Sequence, residues 1–386
     1  MHFRATLANP FPDGVLMASP VGPATYLGRA ITFFGAHRPN PYAQRWSFSI
    51  GRELRSRSLV EVSYVGNRST HLNIQRAWDV TPRQYLSTSP ERDQPTINSL
   101  SAAVTNPFYN FPEFAGGAIT GTTMSRGNLL RPYPQYNGMT GSDPSGFAWY
   151  HSMQARFEKR FTRGYLVNAN YTWSKFMQAT EFLNDTDPGP THVISGQDRQ
   201  HRLTLTTLVE LPVGKGRAFG KNMPGFLNAA VGGWQLQTIF LGQSGPPIAF
   251  GNVLWRGTGP DDLHQLVFPV GQRTPDLWFN TMKSSGIGVV GFEGNNSKAL
   301  ANNIRTFPLR LSGLRSDGQN YWNIALYKQF AFRERYKLQL RNEWEGALNH
   351  ANFAAPNAAP ANTLFGQVSG TQGEARRIFV GLKLMF

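Results

Sequence analysis

The stretch of sequence that decides the fold reads Tyr165-Leu166-Val167-Asn168-Ala169-Asn170-Tyr171-Thr172-Trp173. Its odd positions are aromatic or aliphatic, whereas most of its even positions carry amide or hydroxyl groups. Because successive side chains of a β-strand point to opposite faces, this alternation predicts a strand with one apolar face and one mostly polar face. About ten residues is also the length that a tilted strand needs to cross a bilayer.

The same period-two alternation recurs along the chain and predicts nine strands. They lie at 45–52, 60–64, 149–160, 165–173, 202–211, 234–240, 322–330, 338–345 and 378–386. The ninth stretch is apolar at every second position up to the final residue, a pattern formed by Ile378, Val380, Leu382, Leu384 and Phe386.

The composition narrows the fold class. Only 16% of the 386 residues are charged, against roughly 25% in an ordinary soluble domain, although the net charge is +15. The 39 Gly and 26 Pro argue against a helical protein, and the absence of Cys excludes disulfide scaffolds, thiol catalysis and Cys-ligated zinc. No apolar run approaches the ~20 residues of a membrane-spanning helix. Two fold classes remain compatible with this composition, a soluble all-β protein and a β-barrel with a lipid-facing apolar belt.

The connections between the predicted strands alternate in length. The short ones lie at 53–56, 161–164 and 331–334, and one of middle length lies at 212–230. The long ones lie at 67–146, 177–198, 243–318 and 349–375. Short turns on one rim and long loops on the other are typical of bacterial outer-membrane barrels, in which the short turns are periplasmic and the long loops extracellular.

Aromatic residues near the predicted strand ends favour the same interpretation, because Trp and Tyr form girdles at both membrane interfaces. They are Trp46, Trp149, Tyr165, Tyr171, Trp173, Trp322 and Trp344. A soluble β-sandwich also has alternating strands, but it requires neither the girdles nor the alternating loop lengths. The sequence therefore predicts an all-β, antiparallel transmembrane β-barrel.

The odd number of strands predicts that the barrel is partial, since an odd antiparallel sheet cannot close with every neighbour antiparallel. If the ninth strand ends in the periplasm, counting back places residues 1–42 outside the cell, although no secretory signal precedes them. We expect 1–42 to be the remnant of an extracellular loop and 43–386 to be the C-terminal part of a larger receptor-like barrel.

Nine phrases of the chain, in order, resemble the C-terminal barrel of Oar-like TonB-dependent receptors of the acidobacterial type. Three of them read Phe157-Glu158-Lys159-Arg160-Phe161, Asn170-Tyr171-Thr172-Trp173-Ser174-Lys175 and Leu348-Asn349-His350-Ala351-Asn352-Phe353. The others lie at 40–46, 59–66, 198–202, 210–216, 232–235 and 243–245. Each phrase alone is a weak signal, but the ordered set indicates the family and says little about a substrate.

The resemblance implies an outer-membrane receptor of a Gram-negative-type bacterium, with a barrel of about 22 strands and a plugged lumen. Such receptors also carry an N-terminal regulatory-like β domain, a plug domain and often a segment that engages TonB, which we expect to lie outside these 386 residues. The implied function is to supply wall and surface loops for uptake of an unidentified solute, without transport by this part alone. The alternative is a structural or adhesive outer-membrane protein that displays loops and transports nothing.

Six polar side chains at alternating strand positions are candidates for the lumen-facing wall. They are Arg156, Arg202, Gln235, Gln237, Arg341 and Glu343. Lys and Arg are spread along polar strand positions and turns rather than massed on one groove, so we expect no nucleic-acid partner. The expected partners are outer-membrane lipid and lipopolysaccharide, the barrel assembly machinery, and the plug domain and TonB.

The chain contains no recognisable catalytic or cofactor motif, so we expect it not to be an enzyme. The basic run at 214–222 lacks Walker spacing, and there is neither an HExxH pair nor a Gly-x-Ser-x-Gly elbow. The carboxylates Glu181, Asp185, Asp187 and Asp198 share one predicted loop, where a solvated surface is the simpler interpretation and a calcium site the alternative.

The apolar alternation that ends at Phe386 resembles the signal that the barrel assembly machinery reads on an exposed edge strand. Deleting Phe386 from the chain fused behind an export signal should therefore lower the amount assembled in outer membranes, as measured by cell fractionation. A Lys383→Gln variant, which changes a polar alternating position, is the control. Equal assembly of the two variants and the parent would contradict the assembly signal.

Overall fold

The computed structural model describes residues 8–9, 22–35, 38–251, 253–255, 257, 260–281, 289–290, 302–332, 336–360, 362–373 and 375–386. Nine long strands lie side by side in chain order. They are β1 (Tyr42–Leu54), β2 (Ser58–Ala77), β3 (Met139–Thr162), β4 (Tyr165–Ala179), β5 (His201–Glu210), β6 (Trp234–Gln243), β7 (Gln319–Phe332), β8 (Tyr336–Glu345) and β9 (Arg377–Met385). The pairing is antiparallel between β1 and β2 and throughout β3–β9.

The remaining elements are short. The helices are α1 (Gln94–Ser101), α2 (Arg126–Leu129), α3 (Gly225–Val231) and α4 (Pro260–His264), with 3-10 turns at Gly22–Ala24, Arg83–Tyr85, Pro112–Phe114 and Val270–Gln272. Short strands lie at Ile31–Phe34, Ala103–Thr105, Thr123–Ser125, Val193–Ile194, Pro247–Ala249, Leu254–Trp255, Val289–Val290, Arg310–Arg315, Asn352–Phe353 and Thr371–Gln372. Within the described ranges, no helix has the length and apolarity to span a membrane.

The chain divides into two compact units. The first comprises Met1–Arg38, Gln75–Thr88 and Asp93–Asp143, and the second comprises Pro39–Ile74, Ser89–Arg92 and Pro144–Phe386. In the first unit, Ile31–Phe34 pairs in parallel with the start of β3, and α1 is capped by Asp93, whose carboxylate accepts a hydrogen bond from the Thr96 amide at 3.1 Å. Of the predicted loop 1–42, residues 1–7, 10–21 and 36–37 lie outside the described part.

The second unit exposes its apolar strand residues. Along β2, Val60, Val62 and Tyr64 are exposed, whereas the side chains between them are half-buried. Phe48 of β1, which lies opposite Tyr64 of β2, is 65% exposed, and Val380 of β9 is 72% exposed. A soluble sandwich would bury such residues between two sheets. An exposed apolar surface of this extent is what a lipid-facing barrel wall requires.

One continuous face of the sheet carries these residues, and we call it the apolar face and its opposite the polar face. Directly opposed pairs connect neighbouring strands across the apolar face, and a hydrogen bond of 2.7 Å between Tyr64 and His151 connects β2 with β3. The opposed pairs are Phe48–Tyr64, Met153–Trp173, Tyr171–Leu203, Leu205–Phe240, Phe240–Trp322, Ile324–Trp344 and Leu340–Leu382.

The two end strands of the sheet are exposed on both faces. Every residue of β1 is exposed, and so is every residue of β9 except the last. Within the described ranges, β1 pairs only with β2, and β9 only with β8. The sheet is therefore open between β9 and β1, as expected of a partial barrel.

Two of the predicted short turns are confirmed, the one between β1 and β2 and the one between β3 and β4. Arg163 and Gly164 form the two-residue turn between β3 and β4, and both have positive φ, 53° and 85°, as a type I′ hairpin requires. Positive φ also occurs at Ser56 and Arg57 between β1 and β2. Of the predicted turn at 331–334, residues 333–334 lie outside the described part, and residues 331–332 belong to β7.

The predicted lengths of two strands were wrong. β2 has 20 residues and β3 has 24, so Trp149 lies inside β3 rather than near its end. The first four residues of β3 pair in parallel with Ile31–Phe34, and they carry no apolar alternation. Backbone hydrogen bonds can hold a strand in a sheet even when its side chains do not alternate between apolar and polar. Such a segment cannot be recognised in the sequence from a period of two.

A pair of neighbouring positions in β5 tests which face meets lipid. Leu205 lies on the apolar face between Ala169 and Phe240, and Thr206 lies on the polar face. Leu205→Arg should lower the free energy of unfolding in phospholipid vesicles by about 2–4 kcal/mol, because it places a charge in hydrocarbon. Thr206→Arg should change it by less than about 1 kcal/mol. Equal losses in denaturant titrations would contradict the assignment of the faces.

Candidate functional site

The strand registers place the six sequence-predicted wall residues on one face, the polar one. The six are Arg156, Arg202, Gln235, Gln237, Arg341 and Glu343. Gln235 lies opposite Tyr327 of β7, which in turn lies opposite Arg341 of β8. That this face lines a lumen stays a prediction, but its side chains share the direction that a lumen would require.

A hydrogen-bonded group of three side chains, Tyr327, Arg341 and Glu343, lies on the polar face of β7 and β8. Arg341 donates from Nη2 to Glu343 Oε1 at 2.6 Å, and the Tyr327 hydroxyl donates to the same oxygen at 3.1 Å. The guanidinium of Arg341 lies 5.1 Å from the centre of the Tyr327 ring. Sequence reasoning missed Tyr327, because an aromatic residue on a polar face departs from simple alternation.

Charged groups also occur on the polar face of β3. Glu158 pairs with Arg156 and lies 3.7 Å from Arg160. On the neighbouring strand, Asn170 donates to Asn168 at 2.9 Å. These groups can bind water, a polar solute or a protein surface, and none of them suits a lipid contact.

Most of the buried hydrophobic side chains lie in the long connections rather than in the nine long strands. Phe307, Phe279 and Leu266 are 0% exposed, and the ring centre of Phe250 lies 5.0 Å from that of Phe307. Most core members come from 244–318, and Phe365 comes from 346–376. The core comprises Ile248, Phe250, Val253, Trp255, Leu266, Trp278, Phe279, Phe307, Leu314 and Phe365. We call these two packed connections the loop assembly.

A buried ion pair joins the β4–β5 connection to the loop assembly. Arg315 donates from Nη2 to Asp198 Oδ2 at 2.6 Å, and the Asp198 side chain is 1% exposed. The same guanidinium donates to the carbonyl oxygens of Ser312 and Gly245 at 2.9 and 3.1 Å. Asp198 Oδ1 also accepts the Phe176 amide at 2.6 Å, so one carboxylate connects β4 with Arg315.

A second set of contacts holds the same two segments together. Arg305 is 8% exposed and donates to the carbonyl oxygens of Phe307 and Phe250 at 3.1 and 3.0 Å. Burial lowers the pKa of Arg305 to about 10, because the charged form loses hydration. The Arg305 amide donates to Asn184 at 2.7 Å, and Arg310 pairs with Glu181.

These contacts correct the sequence interpretation of the carboxylate-rich loop. Asp198 was expected in a solvated loop but is buried, because an arginine distant in sequence neutralises it. Glu181 pairs with Arg310, and Asp187 accepts a hydrogen bond from the Asn184 amide at 2.9 Å. Within the described ranges, no three His, Cys, Asp or Glu residues are grouped as metal ligands would be.

A cavity of about 500 Å³ opens beside the loop assembly and the ends of the strands. Arg273, Trp278, Asp317 and His350 contribute to its wall. Burial lowers the pKa of Arg273, which donates to the carbonyl oxygens of Phe268 and Arg315 at 3.1 and 3.4 Å. The lining combines the aromatic side chains of Trp278 and Phe353 with several charged and hydrogen-bonding groups, and such a cavity can bind a small polar molecule.

The chain matches the model of one known family over almost its whole length. The model of the family described as outer membrane beta barrel domain matches residues 3–379. Among solved structures, the chain is similar to the outer membrane transporter YddB from Escherichia coli, with a TM-score of 0.40 and 9% sequence identity. That match covers 93% of this chain and 34% of the transporter, so the chain spans about a third of its length. A comparison with curated proteins found no match.

The Arg315–Asp198 pair should control the stability of the loop assembly. Arg315→Ala leaves a buried carboxylate without its cation, which typically costs about 3–5 kcal/mol. Proteolytic cleavage and amide hydrogen exchange within 180–200 and 244–318 should both become faster. Arg217→Ala removes the exposed pair with Glu210 and should change neither rate measurably. Equal protection in the two variants would show that the pair is dispensable.

Proposed function

The chain belongs to the outer membrane beta barrel domain family, and on that premise we propose that it forms part of the wall and the surface loops of a TonB-dependent outer-membrane transporter. The protein is located in the outer membrane. The observation that carries the proposal is the alignment of six predicted polar wall residues on the face opposite the lipid-facing one. Arginine, glutamate and glutamine on this face can contact a plug domain or a polar solute.

In this proposal, the wall residues provide polar groups in fixed positions that bind a plug domain or a solute in the lumen. Arg341 is held by Glu343 and stacks on Tyr327, so its guanidinium is oriented before a partner arrives. Preoriented groups bind with a smaller loss of conformational entropy. In this proposal the polar face contacts a plug domain or a passing solute, and the cavity beside the loop assembly captures the solute first.

The proposed partners follow from the two faces and the two open edges of the sheet. Strands outside this chain extend the sheet at β1 and β9, and a plug domain and TonB act through polypeptide beyond these residues. The barrel assembly machinery binds β9, and outer-membrane lipid and lipopolysaccharide cover the apolar face. We propose no catalytic role and no nucleic-acid partner.

A second candidate function is display of the loops by a structural or adhesive outer-membrane protein. The loop assembly favours it, since a core of ten buried residues is more than a passive connection needs. Rigid surface loops of this kind present a stable recognition surface. The two functions differ in whether solute crosses the membrane and whether TonB is required.

Depletion of solutes from defined medium distinguishes the two functions. Cells that make the intact polypeptide carrying this region should deplete at least one solute, measured by mass spectrometry, and depletion should require TonB. The Arg341→Ala/Glu343→Ala double variant should slow depletion about tenfold or more, because it removes charge-assisted hydrogen bonds. Gln329→Ala, on the polar face of β7, is the control. Equal depletion in cells with and without TonB would contradict TonB-dependent transport. Loss of adhesion after removal of the loop assembly would support display.

A further inference from the structure

Exposed arginines are concentrated at the short-turn end of the sheet, at the turn between β1 and β2 and the turn between β3 and β4. We call Arg55, Arg57, Arg160 and Arg163 the arginine cluster, and all four residues are exposed. The segments 52–57 and 158–163 together hold six Lys or Arg residues but only two Glu. This end of the sheet therefore carries a local excess of positive charge.

Hydrogen bonds hold the first of these turns against the end of β3. The Arg160 amide donates to the carbonyl oxygen of Arg57 at 3.1 Å. Lys159 is 6% exposed, and its ammonium group donates to the carbonyl oxygen of Ser56 at 2.7 Å. The register of β3 against β4 shifts between Lys159 and Thr162, where these contacts form. The arginine cluster is therefore held by one hydrogen-bonded framework rather than by two independent turns.

The two carboxylates of these segments leave most of the cluster without a counter-charge. Glu158 pairs with Arg156 on the polar face and lies 3.7 Å from Arg160. Glu53 is exposed, and within the described ranges it forms no ion pair with an arginine. In the same part of the chain, no carboxylate forms an ion pair with the other three arginines of the cluster. An anion from outside the chain can therefore bind them without displacing a protein partner.

The backbone at both turns is unusual for arginine. Arg57 has a φ of 58° and Arg163 a φ of 53°, in the left-handed region that Asn and Gly adopt more readily than a long side chain does. Asn or Gly at these two positions would relieve that strain and would also reduce the repulsion between like charges. Because neither cost is offset by an ion pair within the described residues, a role in binding an anion explains why arginine occupies both positions.

The position of the cluster restricts its partner. The short turns of outer-membrane barrels face the periplasm. Arg160 approaches Glu158 on the polar face, so the cluster extends over the strand ends toward the side away from lipid. Guanidinium groups bind carboxylates and phosphates through paired, charge-assisted hydrogen bonds. A periplasmic polymer that carries many such groups can engage several arginines at once, whereas a lipid head group reaches this end from the apolar face.

We propose that the arginine cluster binds the carboxylates of peptidoglycan, a polyanion on the periplasmic side of the outer membrane. The peptides of this polymer carry free carboxylates at repeating intervals, so neighbouring carboxylates can pair with Arg57 and Arg163 at the two turns. Each exposed pair contributes little alone, but several together give binding that weakens as the ionic strength rises. The proposal requires the outer-membrane location but neither solute transport nor display of the loops.

Co-sedimentation of the full chain, solubilised in dodecylmaltoside, with purified peptidoglycan sacculi tests the proposal. The parent chain should sediment with the sacculi at low ionic strength and should be released by salt. The variant Arg55→Gln/Arg57→Gln/Arg163→Gln should bind about tenfold more weakly, because it removes three exposed ion pairs. The corresponding triple Lys variant should retain most of the binding, which separates the loss of charge from an effect on folding.

The matched control removes three exposed arginines that lie away from the short turns. It is Arg45→Gln/Arg68→Gln/Arg376→Gln, which should bind like the parent chain. An equal loss in this control would indicate a non-specific charge effect and would overturn the proposal. Two other results would do the same, unchanged binding to sacculi whose carboxylates have been converted to amides and failure of the parent chain to sediment. Complete displacement from the sacculi by micelles that contain phosphatidylglycerol would instead assign the cluster to lipid head groups and reject peptidoglycan.

Discussion

Backbone hydrogen bonding in a medium without water is the constraint on which the rest of this structure depends. A strand inside hydrocarbon must pair each amide and carbonyl with a neighbouring strand, because an unpaired group there costs several kcal/mol. Each strand from β2 to β8 has a neighbour on both sides. Once the backbone is paired, successive side chains point alternately to the lipid-facing side and to the opposite side of the sheet. The period of two in the sequence follows from this pleat.

The same constraint explains why the buried core lies outside the strands. Lipid solvates the apolar face, so residues such as Phe48 and Val380 need no protein partner. The long connections are in water, and their apolar residues must pack on one another. Phe250, Phe279 and Phe307 do so, and the Arg315–Asp198 pair joins a further loop to that core. The strands thus position the loop assembly, while the loops supply the buried packing.

The sequence predicted the nine strands and the common face of the six wall residues, because both depend on a period that is visible in single stretches. It did not reveal the full lengths of β2 and β3, since their additional residues lie outside the alternating region. It also did not reveal the role of Arg315, whose partner Asp198 lies more than a hundred positions away. Contacts between distant loop residues leave no periodic signal, and neither does the cavity that they enclose.

The contact of the apolar face with lipid is the central claim, and nitroxide scanning along β4 tests it most directly. The chain contains no Cys, so single Cys substitutions from 165 to 174 each give one labelling site. For the chain in lipid vesicles, collision with oxygen should be high at odd positions, and collision with a water-soluble nickel complex should be high at even positions. The opposite phase, or no alternation across the ten sites, would contradict the account.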